Sequence, residues 1–131
     1  MTLTVDGALR AYAQMMNTLD SSALEPLLAD DFVWATQWVF HTLQSKQAYI
    51  DYIRPKLIAV KKSGRPVYAE MGQLPAPHEG PCVVLAQGGP ESLLGVVLAQ
   101  VQDGRITRLD LCNTPSAEEA LRSGEYPGLV A

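Results

Sequence analysis

The sequence predicts one α+β domain spanning 1–131, with a curved, mostly antiparallel sheet packed on three helices around a small aromatic-lined pocket. Three observations carry this. Helical spacing of apolar residues dominates the first half of the chain and alternating strand-like residues dominate the second, the segregated order of an α+β fold. Short turn signals separate the later segments, so successive strands should pair antiparallel. The 131 residues are 47% hydrophobic and 18% charged, enough for one packed core, and no internal repeat, linker or low-complexity tract divides them.

The first helix is expected over about 3–19, because Val5, Leu9, Tyr12, Ala13, Met16 and Leu19 recur on one face. Asp20 and Ser21 break it, and Ser22 with Glu25 makes a capping-box pattern for a short second helix over 22–29. From 32 to 40 the pattern is that of a strand. Phe32, Trp34, Thr36 and Trp38 lie on one face, and Val33, Ala35, Gln37 and Val39 on the other. A third helix over 45–62 starts from Ser45 as N-cap and presents Tyr49, Tyr52, Ile53, Leu57 and Val60. Pro55 inside it predicts either a kink or an end. Strands follow over 67–74, 82–87, 93–102 and 105–112, with Asp103-Gly104 as a hairpin signal and Gly88-Gly89-Pro90 as a second turn. On the last strand Ile106, Arg108, Asp110 and Cys112 alternate with Thr107, Leu109 and Leu111, and either set fits the packed face. Ser116 and Glu119 point to a short C-terminal helix over 116–122.

Composition excludes several classes of function. A net charge of −4 disfavours nucleic acid and anionic membranes, which both need a clustered positive surface. The basic group Lys61, Lys62 and Arg65 sits at a helix end, where it complements the helix dipole. No apolar run approaches the roughly 20 residues of a membrane span, and no basic-then-apolar leader opens the chain, so a cytoplasmic location is expected. Cys82 and Cys112 fall on strands without metal spacing; they read as reduced thiols, with one disulfide as the alternative. His41 and His78 are far apart with no ligand spacing around them, so neither a metal nor a cofactor is expected. Gly88-Gly89 joins strand to strand and is a turn, not a phosphate cradle.

The residues Tyr12 to Asp20, followed by Leu27-Leu28-Ala29-Asp30-Asp31-Phe32, resemble the opening of the SnoaL-like branch of the nuclear-transport-factor-2-like superfamily. Asp103 to Asp110 resembles that family's final hairpin. The resemblance covers nearly the whole chain and implies a cone-shaped, cystatin-like fold, often dimeric through its sheet. The apolar residues on both faces of Leu93 to Val101 agree with a sheet buried on two sides and hence a homodimer. Relatives include ketosteroid isomerases, epoxide hydrolases and polyketide cyclases, but a fold does not fix a function. For the isomerase, Tyr12 matches the helix tyrosine; the base position falls on Thr36, and Gly95 to Gln102 holds no acid. For the hydrolase, Asp110 matches one aspartate, while Pro81 to Gln87 lacks the Arg and Asp of the remaining set. Neither catalytic set is intact. A cyclase needs least, one acid or base beside the pocket, and Asp110 would serve if burial raised its pKa.

Tyr12, Met16, Trp34, Thr36, Trp38, Tyr49, Ile53 and Cys112 are therefore the expected walls of a site for a small apolar or aromatic molecule. Core packing explains the same aromatic residues without a ligand. Asp110, with His41 as a proton shuttle at the mouth and Tyr12 as donor, is the expected catalytic group of any cyclase, isomerase or hydrolase-like activity. The alternatives are an aspartate held at the surface by Arg108, a solvated His41, and a non-catalytic ligand-binding or dimerisation module.

Overall fold

The first helix, α1 (Val5–Thr18), turns its apolar stripe of Ala8, Leu9, Tyr12, Ala13, Met15 and Met16 inwards. Thr4 caps its start by accepting from the Gly7 amide, and Leu19 ends it in the left-handed conformation. The structure, a computed structural model, describes residues 2–37 and 42–129. The expected second helix is instead a three-residue 3-10 turn, Glu25–Leu27. Ser22 does not cap it; the Ser21 hydroxyl donates to the Glu25 carboxylate at 2.6 Å. The reason is tertiary: Leu28 already pairs with Ile106, so the chain must become extended where the helix would continue.

Strand β1 (Leu28–Thr36) leads to β2 (Thr42–Gln44), and α2 (Lys46–Ser63) follows. Ser45 caps α2 through the Ala48 amide, and Gly64 closes it at φ 71°. The helix runs on through Pro55, which stands exposed. Then come β3 (Val67–Leu74), β4 (Gly80–Gln87), β5 (Leu93–Gln102) and β6 (Arg105–Cys112). Asp103 and Gly104 both take positive φ, 53° and 75°, as a two-residue hairpin with matching twist requires. The expected C-terminal helix is also a 3-10 turn, Ala117–Glu119, because the chain turns away to add a short strand, β7 (Leu121–Arg122), to β3. The described residues thus contain two α-helices, not three.

The strand order is β2-β1-β6-β5-β4-β3-β7, with β1 and β6 parallel and every other pair antiparallel. Both helices lie against one face. There Leu9, Met16, Phe32, Trp34, Ile53, Met71, Val83, Val97, Ile106 and Leu109 form one buried cluster. A smaller cluster of Leu74, Cys82, Val84, Val96, Cys112 and Ala117 occupies the opposite face under the C-terminal turn. Ile106 and Leu109 share the inner cluster although strict alternation would separate them. Val101 pairs with Ile106 and Gln100 with Arg108, so Thr107 is an extra residue in the ladder. This bulge shifts the parity of everything after it. No helix among the described residues is long and apolar enough to cross a membrane.

Candidate binding site

Three elements bring aromatic side chains to one place between sheet and helices. Tyr12 from α1 stacks on Trp34 of β1, with centroids 6.2 Å apart and planes 23° apart. Trp34 meets Tyr49 of α2 at 5.6 Å, and Phe32 meets the same ring edge-on at 5.1 Å. Tyr52, one turn along α2, lies 6.2 Å from Tyr49. Met16 and Ile53 are buried in the same cluster. At its rim Lys56 donates to the Tyr52 hydroxyl at 2.8 Å and stands 5.3 Å from the ring centre.

Tyr12, Trp34 and Tyr49 are only 2%, 6% and 1% exposed, so these rings pack as tightly as core. Burial pushes the Tyr12 and Tyr49 phenols well above the ordinary value, and their neighbouring phenols add to it. Both therefore stay neutral hydrogen-bond donors at every ordinary pH. The Tyr49 hydroxyl is the one buried side-chain polar atom among the described residues with no hydrogen-bond partner. Phe32 and Tyr52 were not among the expected wall residues. Their signal was present: Phe32 lies two positions from Trp34 on its strand face, and Tyr52 three positions from Tyr49 on its helix.

Asp110 and Cys112 are not brought to this cluster. Asp110 pairs in register with Ala35 and Leu98, whereas Trp34 pairs with Leu109. The sheet therefore stands between the Asp110 carboxylate and the aromatic cluster. On the outer face Asp110 accepts from Arg108 Nε at 2.8 Å and Nη2 at 3.0 Å. Cys112 lies on that same face, in the second cluster. An acid–base pair of Asp110 with Tyr12, and a Cys112 wall to the aromatic site, are corrected by this parity. Thr36 keeps the Trp34 parity and is half-buried. Trp38 and His41 lie outside the described residues.

The outer face has its own chemistry. Glu70, only 3% exposed, receives Arg122 Nε at 2.6 Å, the Gly124 amide at 2.7 Å and the Tyr126 hydroxyl at 3.3 Å. These bonds fasten the C-terminal segment across β3. Burial pushes the Cys82 thiol up to about 11 and raises that of Cys112 as well. Both cysteines are free. No group of three or more His, Cys, Asp or Glu among the described residues is placed to hold a metal ion.

Three of the surface hollows among the described residues are lined without Tyr12, Trp34 or Tyr49. The largest of them, about 510 Å³, is lined by Asp30, Asp31, Val33, Gln44 and Ser45.

No protein-family model matches the sequence, and no curated protein matches it either. Solved structures do. A SnoaL-like protein of unknown function from Burkholderia thailandensis superposes with a TM-score of 0.60 at 14% identity, covering 95% of this chain and 100% of that one. The fold is therefore SnoaL-like and NTF2-like. An NTF2-like protein of unknown function from Mesorhizobium loti agrees, with TM-score 0.59, 17% identity and coverage of 89% and 88%. So does a provisionally named polyketide cyclase from Sinorhizobium meliloti, with TM-score 0.53, 20% identity and coverage of 80% and 93%. At these identities the likeness is one of architecture, and the SnoaL-like frame says nothing by itself about a substrate.

Proposed function

We propose that this SnoaL-like chain binds a small, apolar or aromatic molecule between its sheet and helices. The observation that carries the reading is the convergence of Tyr12, Trp34, Tyr49 and Tyr52 from two helices and a strand on one patch. Apolar walls with a few polar tips are the usual make-up of a small-molecule site. The reading is binding, not acid–base turnover by Asp110, because that carboxylate lies across the sheet and is already held by Arg108. Native mass spectrometry of protein isolated from its own host should show a retained small molecule, and aromatic probes should quench its tryptophan fluorescence. Absence of both, up to the solubility limit of the probes, would sink the reading.

A homodimer through the outer sheet face is a second reading, favoured by the Arg108–Asp110 pair. Val33, Ala35 and Leu98 surround it and leave it partly open, with side-chain exposures of 38% and 26%. Across a twofold axis such a pair is self-complementary, each Arg108 able to reach the Asp110 of the other copy. Light scattering should then give twice the monomer mass at micromolar concentration.

A further inference from the structure

We infer that residues 121–128 form a strap that opens from β3 as one unit while the rest of the fold stays closed, and that Glu70 is its lock. No residue of 121–129 is buried, so little apolar surface holds the segment in place. β3 pairs with β4 along its whole length, but with β7 only at Gly72 and Gln73. The attachment is polar instead. Among the described residues, every donor to the Glu70 carboxylate comes from the strap: Arg122, the Gly124 amide and the Tyr126 hydroxyl. A carboxylate only 3% exposed depends on such donors, since burial has stripped it of water. Three residues converge on this one group, so water that reaches it loosens all three together. That shared dependence makes the strap open as a whole.

Both ends of the strap are fitted to the body. A Cβ at Gly72 would stand 3.2 Å from the Leu121 carbonyl oxygen, and one at Gly128 would stand 2.8 Å from Thr18 Cγ2 on α1. Asn17, also on α1, donates to the Pro127 carbonyl at 2.8 Å. The same side chain accepts from the Ala69 amide at 2.7 Å and donates to the Ala69 carbonyl at 2.9 Å. That stretch of the β3 edge therefore stays covered by α1 when the strap lifts. Met71 differs, because its amide donates to the Glu125 carbonyl and its carbonyl accepts from Ser123, both in the strap. Opening bares a short strand edge at Met71, Gly72 and Gln73, backbone groups able to pair with another extended segment. Segments with few buried contacts and solvent-exposed hydrogen bonds are those that open without global unfolding.

Hydrogen exchange of the full chain, followed by NMR, tests this. The Met71, Ser123 and Gly124 amides should report one common opening and exchange faster than the Val96 and Val97 amides in central β5. Glu70→Gln should speed those three together by about tenfold or more, the effect of weakening charged hydrogen bonds. The Val96 and Val97 amides should stay within about twofold of wild type, because the core is untouched. Gly128→Ala, at an exposed position that leaves Glu70 in place, should speed the same three amides. Acceleration of β5 as large as that of the strap would show that the segment opens only with the whole chain, and would overturn the inference. So would acceleration of Gly124 alone in Glu70→Gln, which marks a local bond and not a lock. Should Glu70→Gln not fold, Gly128→Ala decides alone: three unchanged amides would mean that no such unit opens.

Discussion

The two faces of the sheet are built on opposite principles. The inner face is held by rings and aliphatic side chains from α1, β1 and α2, with the unpaired Tyr49 hydroxyl among them. The outer face carries ion pairs, Arg108–Asp110 in mid-sheet and Arg122–Glu70 at the β3 edge, beside a small cluster that holds both cysteines. A face that binds an apolar molecule needs shape and dryness. A face that meets another chain can use charge to set orientation. Perturbing each face separately should therefore give effects of different kind and size.

The largest effect belongs inside. Trp34 touches Tyr12 and Tyr49 and is 6% exposed, so Trp34→Ala leaves a void against two helices at once. The expected loss is about 3–5 kcal/mol, read from urea unfolding. A loss under ~1 kcal/mol would mean that the aromatic cluster is not core at all, and that its rings rearrange freely.

How much of this was legible beforehand depends on whether a feature is local. The change from helical to alternating spacing is local, and it marked α1, α2 and the strands at Val67–Leu74, Leu93–Gln102 and Arg105–Cys112. Tyr12, Met16, Trp34, Tyr49 and Ile53 were legible for the same reason, since each repeats on the buried stripe of its own element. The two capping-box patterns misled because a capping pattern does not know what the chain does next. Leu28 is captured by Ile106, and Arg122 by Gly72. The bulge at Thr107 is visible only once Gln100 and Val101 are paired across from it. No reading of alternation within β6 alone shows that Ile106 and Asp110 face opposite ways.

Alkaline pH distinguishes the faces next. A protonated group whose pKa rises on folding adds stability that is complete below its unfolded value and lost as pH climbs towards the folded one. For the outer face this window opens near the ordinary thiol value of 9.0 and runs to about 11 for Cys82. For the inner face it opens at the phenol value of 10.0, with Tyr12 and Tyr49 still protonated in the folded chain while the unfolded chain ionises. Stability should fall in both windows. Cys82→Ala should flatten the earlier part of the decline and Tyr12→Phe with Tyr49→Phe the later part, as followed by melting temperature against pH. If the double variant follows the wild-type curve above pH 10, the two phenols are not buried as described.

The smallest effect on the folded monomer should come from Asp110→Asn. The Arg108–Asp110 pair is partly solvated on both sides, and exposed pairs contribute about 0.2–1 kcal/mol. The substitution removes the carboxylate charge, keeps the shape, and lies across the sheet from Tyr49, so ligand affinity should be unchanged. Its consequence for assembly is the informative part. If two copies meet through this face, each Asp110→Asn chain offers an unneutralised Arg108 to the other, and two such cations would be brought together at the axis. The dimer should then weaken by tenfold or more, with the added salt dependence of a like-charge contact. A variant that loses ligand binding but keeps its dimer would reverse the assignment of the two faces. One that changes neither would place the contact between copies away from β6, and leave the Arg108–Asp110 pair as a local brace beside the Thr107 bulge.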